Sequence, residues 1–254
     1  MYRKVVLFLL IVVLATASVL LAQRGGFFGR DNFRGGRFRA VQNDPPPTEF
    51  VFARLHYQNN GRRGGGGWGH DYPAAEEHIL QIMAEASGLN VEHNSYKIVE
   101  LGSKELFNYP FAYVSEPGEM ELSDQEVVNL REYIDRGGFM MFDDFDGQYD
   151  LQNLYRNLKR AFPDREMYKL PDDHPLLHIY YDIDELNVIS PYDVGAGAVF
   201  YGFPNKDGEL AMVICWNNDV GDFWEWIDEP RYALKPSAES LRLGVNFVIY
   251  SMTH

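Results

Sequence analysis

The segment Phe139-Met140-Met141-Phe142-Asp143-Asp144-Phe145-Asp146-Gly147 passes within a few residues from wholly apolar to acidic. A second acidic group, Glu116-Pro117-Gly118-Glu119, follows the apolar run FAYV. In an open parallel sheet ligands sit at the carboxyl ends of the strands, so these two groups can bring several carboxylates to one edge, suited to a hard cation or to hydrogen-bonding a sugar. Asp144, Asp146 and Gly147 resemble the opening of an EF-hand loop, but the glycine comes two positions early and no glutamate closes it. Helix capping by Asp143 or Asp146 accounts for the same residues. No cofactor is therefore expected, and a divalent cation on Asp143, Asp144 and Asp146 is the weaker expectation.

Three other segments carry candidate ligand-binding residues. QNNGRRGGGGWGHDYP, residues 58–73, is a glycine-rich loop feeding a helix N-terminus, with His56 just before it and Trp68, Asp71 and Tyr72 within it. It could cradle an anion with Arg62 and Arg63, yet it has neither the Lys-Ser/Thr ending of a nucleotide loop nor the G-x-G-x-x-G order, so a lid is an equal reading. His174 and His178 in DDHPLLHIYYDID are four apart, but Pro175 argues for a turn at His174 rather than one helical face holding zinc. CWNNDVGDFWEW, residues 215–226, joins Asn217, Asp219 and Trp224 in a mixture of polar groups and flat rings suited to carbohydrate or peptide. Cys215 lies in an apolar strand and reads as inert core, and no G-x-S-x-G elbow occurs.

The elements that must position these residues follow from periodicity. Strands are expected at 50–57, 97–101, 111–116 and 139–145, alternating with helices at 73–87, from Ser123 to about 136, and around Leu151 to Phe162. Ser123 and Glu126 have capping-box spacing, and Gly88 and Gly137-Gly138 are helix stops. AVFYGF and LAMVICW form a β-hairpin, and a final helix spans about 237–252. The alternation predicts an α/β domain with a mostly parallel sheet covered on both faces and a C-terminal β-hairpin extension.

Of the 23 Lys and Arg, seven precede residue 48, against two of the 37 Asp and Glu, which leaves 16 basic and 35 acidic residues, net −19, on the rest. So negative a surface repels nucleic acid and anionic lipid, so no nucleic acid is expected as a partner. Arg3, Lys4 and the uncharged run Val5 to Ala22 have the order of a secretory signal. The expected organisation is a signal peptide, possible membrane anchor if uncut, over 1–22, a disordered Gly/Arg-rich tether over 23–47, and one α/β domain over 48–254. The protein is then periplasmic or secreted and touches membrane only through its N-terminal segment.

The blocks FARLHY, GWGHDYPAAE, LFNYPFAYVSEPG, LREYIDRGGFMMFDDF, HPLLHIYYDID, NNDVGDFWEW and RLGVNFVIYSMTH resemble the bacterial family known as domain of unknown function 4159, across residues 48–254. The resemblance implies a three-layer, flavodoxin-like α/β sandwich similar to the class I glutamine amidotransferases and trehalose-utilisation proteins. It also implies that amidotransferase chemistry is absent, since the turn after FAYVS offers Glu116-Pro117-Gly118 where those enzymes place a cysteine. The expected function is a non-catalytic module binding a small ligand or an envelope protein at the carboxyl edge of its sheet. The alternative is a metal- or carboxylate-dependent hydrolase acting on a sugar or peptide, with Asp143, Asp144 and Glu116 as ligands or acid/base pair and His56 or His174 assisting.

Overall fold

The computed structural model describes residues 42–254 except 65, 184, 185, 187–189 and 193–195. The expected signal and nearly all of the tether lie outside the described residues. Within them, no helix is long and apolar enough to cross a membrane. The tether's last residues are held: Gln42 Nε2 donates to Ile98 O, and Asn43 Nδ2 to Asn94 O and Tyr96 O.

Seven strands form one sheet in the order β2-β1-β3-β4-β7-β6-β5. They are β1 (Phe52–His56), β2 (Tyr96–Glu100), β3 (Phe111–Ser115), β4 (Phe139–Phe145), β5 (Tyr168–Lys169), β6 (Val199–Pro204) and β7 (Leu210–Trp216). The first five in that spatial order are parallel, and β6 and β5 close the sheet antiparallel. Helices α1 (Ala74–Ser87), α4 (Val220–Glu225) and α5 (Leu234–Thr253) cover one face, and α2 (Asp124–Asp135) and α3 (Gly147–Ala161) the other. This is a flavodoxin-like α/β sandwich. β4 explains its own sequence: Phe139 and Met141 enter one core, Met140 and Phe142 the other, so a strand buried on both faces needs an unbroken apolar run.

Local signals act as their chemistry dictates. Ser123 Oγ accepts from Glu126 N while Ser123 N donates to Glu126 Oε2 at 2.8 Å, the reciprocal capping box at the start of α2. Gly88 ends α1 at φ 72°, a conformation open to glycine at little cost. Two elements differ from expectation. CWNNDVGDFWEW contains a six-residue helix, α4, capped by Asp219, whose side chain accepts from Asp222 N at 2.9 Å. The last helix begins at Leu234, because Pro236 sits in its first turn, where a missing N–H costs nothing.

His174 and His178 do not share a helical face: a single 3-10 turn, Pro175–Leu177, separates them, and His178 pairs with Asp182. His174 Nδ1 caps that turn by accepting from Leu176 N at 3.1 Å, which requires a neutral imidazole. Burial, with His254 adding to it and Asp173 opposing, lowers its pKa. A depressed histidine contributes stability fully above its unfolded pKa, and that contribution is lost as pH falls through that value toward the folded one. His174→Asn, which keeps a capping acceptor without titrating, is expected to flatten the decline in melting temperature between about pH 7 and 5; an unchanged slope would place the acid sensitivity elsewhere.

Candidate functional site

The strand order reverses between β1 and β3, and the loops leaving the carboxyl ends of β1, β3, β4 and β7 meet there. His70 and Asp71 come from the loop after β1, Glu116 from the turn after β3, Asp144 from the end of β4 and Asp219 from the start of α4. His70 Nδ1 lies 2.9 Å from Asp144 Oδ2 and 3.6 Å from Glu116 Oε1. Ser115 Oγ donates to the same Asp144 oxygen at 3.1 Å. Potential ligand atoms of His70, Glu116 and Asp144 all fall within 4.8 Å of one another, as do those of Asp71, Asp144 and Asp219, and of Asp71, Asp222 and Glu225.

Arg54 fixes the loop that carries His70. Its side chain, fully buried on β1, pairs with Glu76 of α1 at 2.5 Å and donates from Nη1 to Trp68 O at 3.3 Å and His70 O at 3.0 Å. Its guanidinium carbon stands 4.3 Å from the centre of the Tyr113 ring. Gly67 serves close approach: a Cβ built on it would stand 2.6 Å from Glu116 Cβ. Gly221, in α4, is equally confined, since a Cβ there would stand 2.5 Å from the Tyr113 hydroxyl and 2.9 Å from Asp71 Oδ2.

Among the described residues four non-glycine residues adopt left-handed backbone: Asp71 (φ 62°) shortly before α1, Glu116 (49°) after β3, Asp144 (59°) near the end of β4 and Asn217 (54°) after β7. Such conformations cost on the order of 1–3 kcal/mol each and persist where packing over-determines them. The electrostatics are as unusual. Burial, then the charge of Asp144, raises the pKa of both Asp71 and Asp219 well above the usual carboxylate range. Burial raises Asp143 to about 6 against the pull of the Val220 and Gly221 N–H groups. For His70, burial works against the charged ring, but the hydrogen bond and charge of Asp144, with Glu116, outweigh it and raise the pKa. Burial and the surrounding aspartates Asp219 and Asp144 push up the phenol of Tyr192. Several carboxyl groups thus share one small space with one imidazole among them, and burial and mutual repulsion disfavour their being ionised together.

Of the residues singled out in the sequence, Asp71, Glu116, Asp144 and Asp219 join this cluster, and Asp143 lies against it, accepting from Tyr113 Oη and Gly221 N. Asp146 instead occupies the N-cap position of α3. Asn217 accepts from Gly147 N at 3.0 Å and shapes the turn. Trp224 is 1% exposed and donates to Ser240 O, so it is core between α4 and α5, not a ligand platform. Trp68 packs against His56 at 4.6 Å and is buried, and Tyr72 packs edge-on against Tyr96. His56 pairs with Glu100 and, with Gln58, Asn59 and Gln125, lines a separate open groove of about 550 Å³. His174 is likewise outside the cluster, on the 3-10 turn beside Tyr250. His70, the one imidazole the site contains among the described residues, was not singled out: it has no partner at a diagnostic spacing and depends on Arg54 for its place.

No curated protein matches the chain. The model of the family described as Domain of unknown function (DUF4159) matches residues 51–252, all the strands and helices that form the cluster included. The chain belongs to the DUF4159 family.

Proposed function

We propose that this protein is an exported α/β module that binds a positively charged ligand at the carboxyl edge of its sheet without turning it over. One observation carries the reading: Glu116 with His70 on one side, and Asp71 with Asp219 on the other, converge on Asp144, with Asp143 fully buried beside it, so the carboxyl groups outnumber the His70 imidazole and the Arg54 guanidinium that offset them. Burying that much like charge is costly unless a cation completes it. Catalysis by a thiol has no support here, because Cys215 is buried, its pKa is raised by burial and by Asp143, and the turn after β3 carries Glu116. Export rests on the order of charge and apolar residues over positions 3–22.

A second reading, a metal-dependent hydrolase, is favoured by the His70–Asp144 hydrogen bond beside Glu116, an arrangement that could also move a proton. His56 and His174, the assistants expected from sequence, stand apart from the cluster. The first reading is tested by thermal denaturation of the full chain with spermidine, glucosamine, divalent cations and neutral sugars, alongside Asp144→Asn. A cationic compound at a hundred times its Kd adds about 2.7 kcal/mol, or roughly 5–10 °C for a chain of this size, and the variant loses that rise. Stabilisation by neutral sugars alone, or a rise that Asp144→Asn retains, contradicts the reading.

A further inference from the structure

Resting on the cationic-ligand reading, the geometry points to a divalent transition-metal ion of the manganese or zinc class as the ligand, held by His70, Glu116 and Asp144 with Asp71 and Asp219 alongside. An imidazole among carboxylates suits these ions, whereas calcium takes six to eight oxygens and gains little from nitrogen. Ligand atoms sit about 2.0–2.2 Å from such an ion, so three groups whose donor atoms lie within 4.8 Å of one another close on it with small side-chain shifts.

A separate observation points the same way. Asp143 is wholly buried; its Oδ2 accepts from Tyr113 Oη at 2.9 Å and Gly221 N at 2.8 Å, while its Oδ1 is buried with no hydrogen-bond partner. Asp71 Oδ2 is also buried with no hydrogen-bond partner, and it lies against the same residue, 2.9 Å from where a Gly221 Cβ would stand. Carboxylate oxygens in such a setting lack the donors that water would supply, a cost of about 1–3 kcal/mol or more each. Asp71 belongs to the second of the two three-residue groups that share Asp144, and Asp143 directly precedes Asp144 in β4. A divalent charge there compensates the buried, unpartnered oxygen of Asp71.

The test uses the full chain, stripped with chelator, titrated calorimetrically with manganese, zinc and calcium chlorides, with manganese binding read in parallel by the loss of its free-ion paramagnetic resonance signal. The expected result is saturable manganese or zinc binding tighter than calcium, weakened by at least about tenfold in His70→Gln and in Asp144→Asn, and unchanged in Glu166→Gln, which alters an exposed ion pair with Lys159. Circular dichroism checks each variant; if Asp144→Asn fails to fold, Glu116→Gln takes its place. Equal affinity in the wild type and His70→Gln, or no saturable binding, overturns the inference. Stabilisation by spermidine that depends on Asp144 without any metal binding would sink the metal and leave the cationic-ligand reading standing; loss of both would sink both.

Discussion

Arg54→Met is expected to lower the stability of the fold by about 3–5 kcal/mol, a fall of roughly 6–20 °C in melting temperature. The variant leaves Glu76, which is fully buried, without its cation, and strips the carbonyls of Trp68 and His70 of their shared donor. The pair is not ideal even when intact: Arg54 Nη2 and Glu76 Oε2 are both buried without hydrogen-bond partners. An apolar replacement of both residues should therefore recover much of the loss, because it removes the stranded charge along with its partner. Arg54→Met/Glu76→Leu is accordingly expected to be more stable than Arg54→Met alone in chemical denaturation. It should still bind cations weakly, since nothing then holds the His70 carbonyl in place. A double variant no more stable than the single one would show that the loss comes from the loop carbonyls and not from the ion pair.

Asp219→Asn is expected to act in the opposite direction on the fold, raising the stability of the cation-free protein by about 1–2 kcal/mol while reducing its response to cations. Asp219 is 5% exposed, and burial and the charges of Asp144, Asp71 and Asp143 all disfavour its ionised form. Asparagine keeps an oxygen for Asp222 N, so the cap of α4 survives and only the charge is removed. Differential scanning calorimetry with and without manganese separates the two effects. A destabilised apo protein with an intact cation response would mean that Asp219 serves α4 and not the ligand. The expected trade of stability for function is the common pattern at binding sites assembled from like charges.

Much of the fold was legible because its signals are local. The Ser123/Glu126 box, Gly88 and Gly137 as stops, and the doubly buried FMMF run each need only a few neighbouring residues to act. The elements that escaped were too short for periodicity: β5 has two residues and α4 six. The carboxyl ends of β3 and β4 were recognisable as the place to look, since an apolar strand that turns acidic marks its own exit from the core. His70 was not recognisable, because its role depends on Arg54, sixteen residues upstream, binding the carbonyls of Trp68 and of His70 itself. Trp224 misled for a related reason: an indole beside asparagines looks like a ligand platform until the Ser240 carbonyl takes its N–H. The left-handed backbone at Asp71, Glu116 and Asp144 leaves no trace in the sequence, where glycine would ordinarily announce it.

The most direct measurement is an anomalous difference map from a crystal of this protein grown with manganese chloride. The account predicts one dominant peak bounded by the side chains of His70, Glu116 and Asp144, absent from crystals of Asp144→Asn grown in the same way. A map with no peak at that position, or with manganese confined to exposed carboxylates elsewhere on this acidic surface, would contradict it.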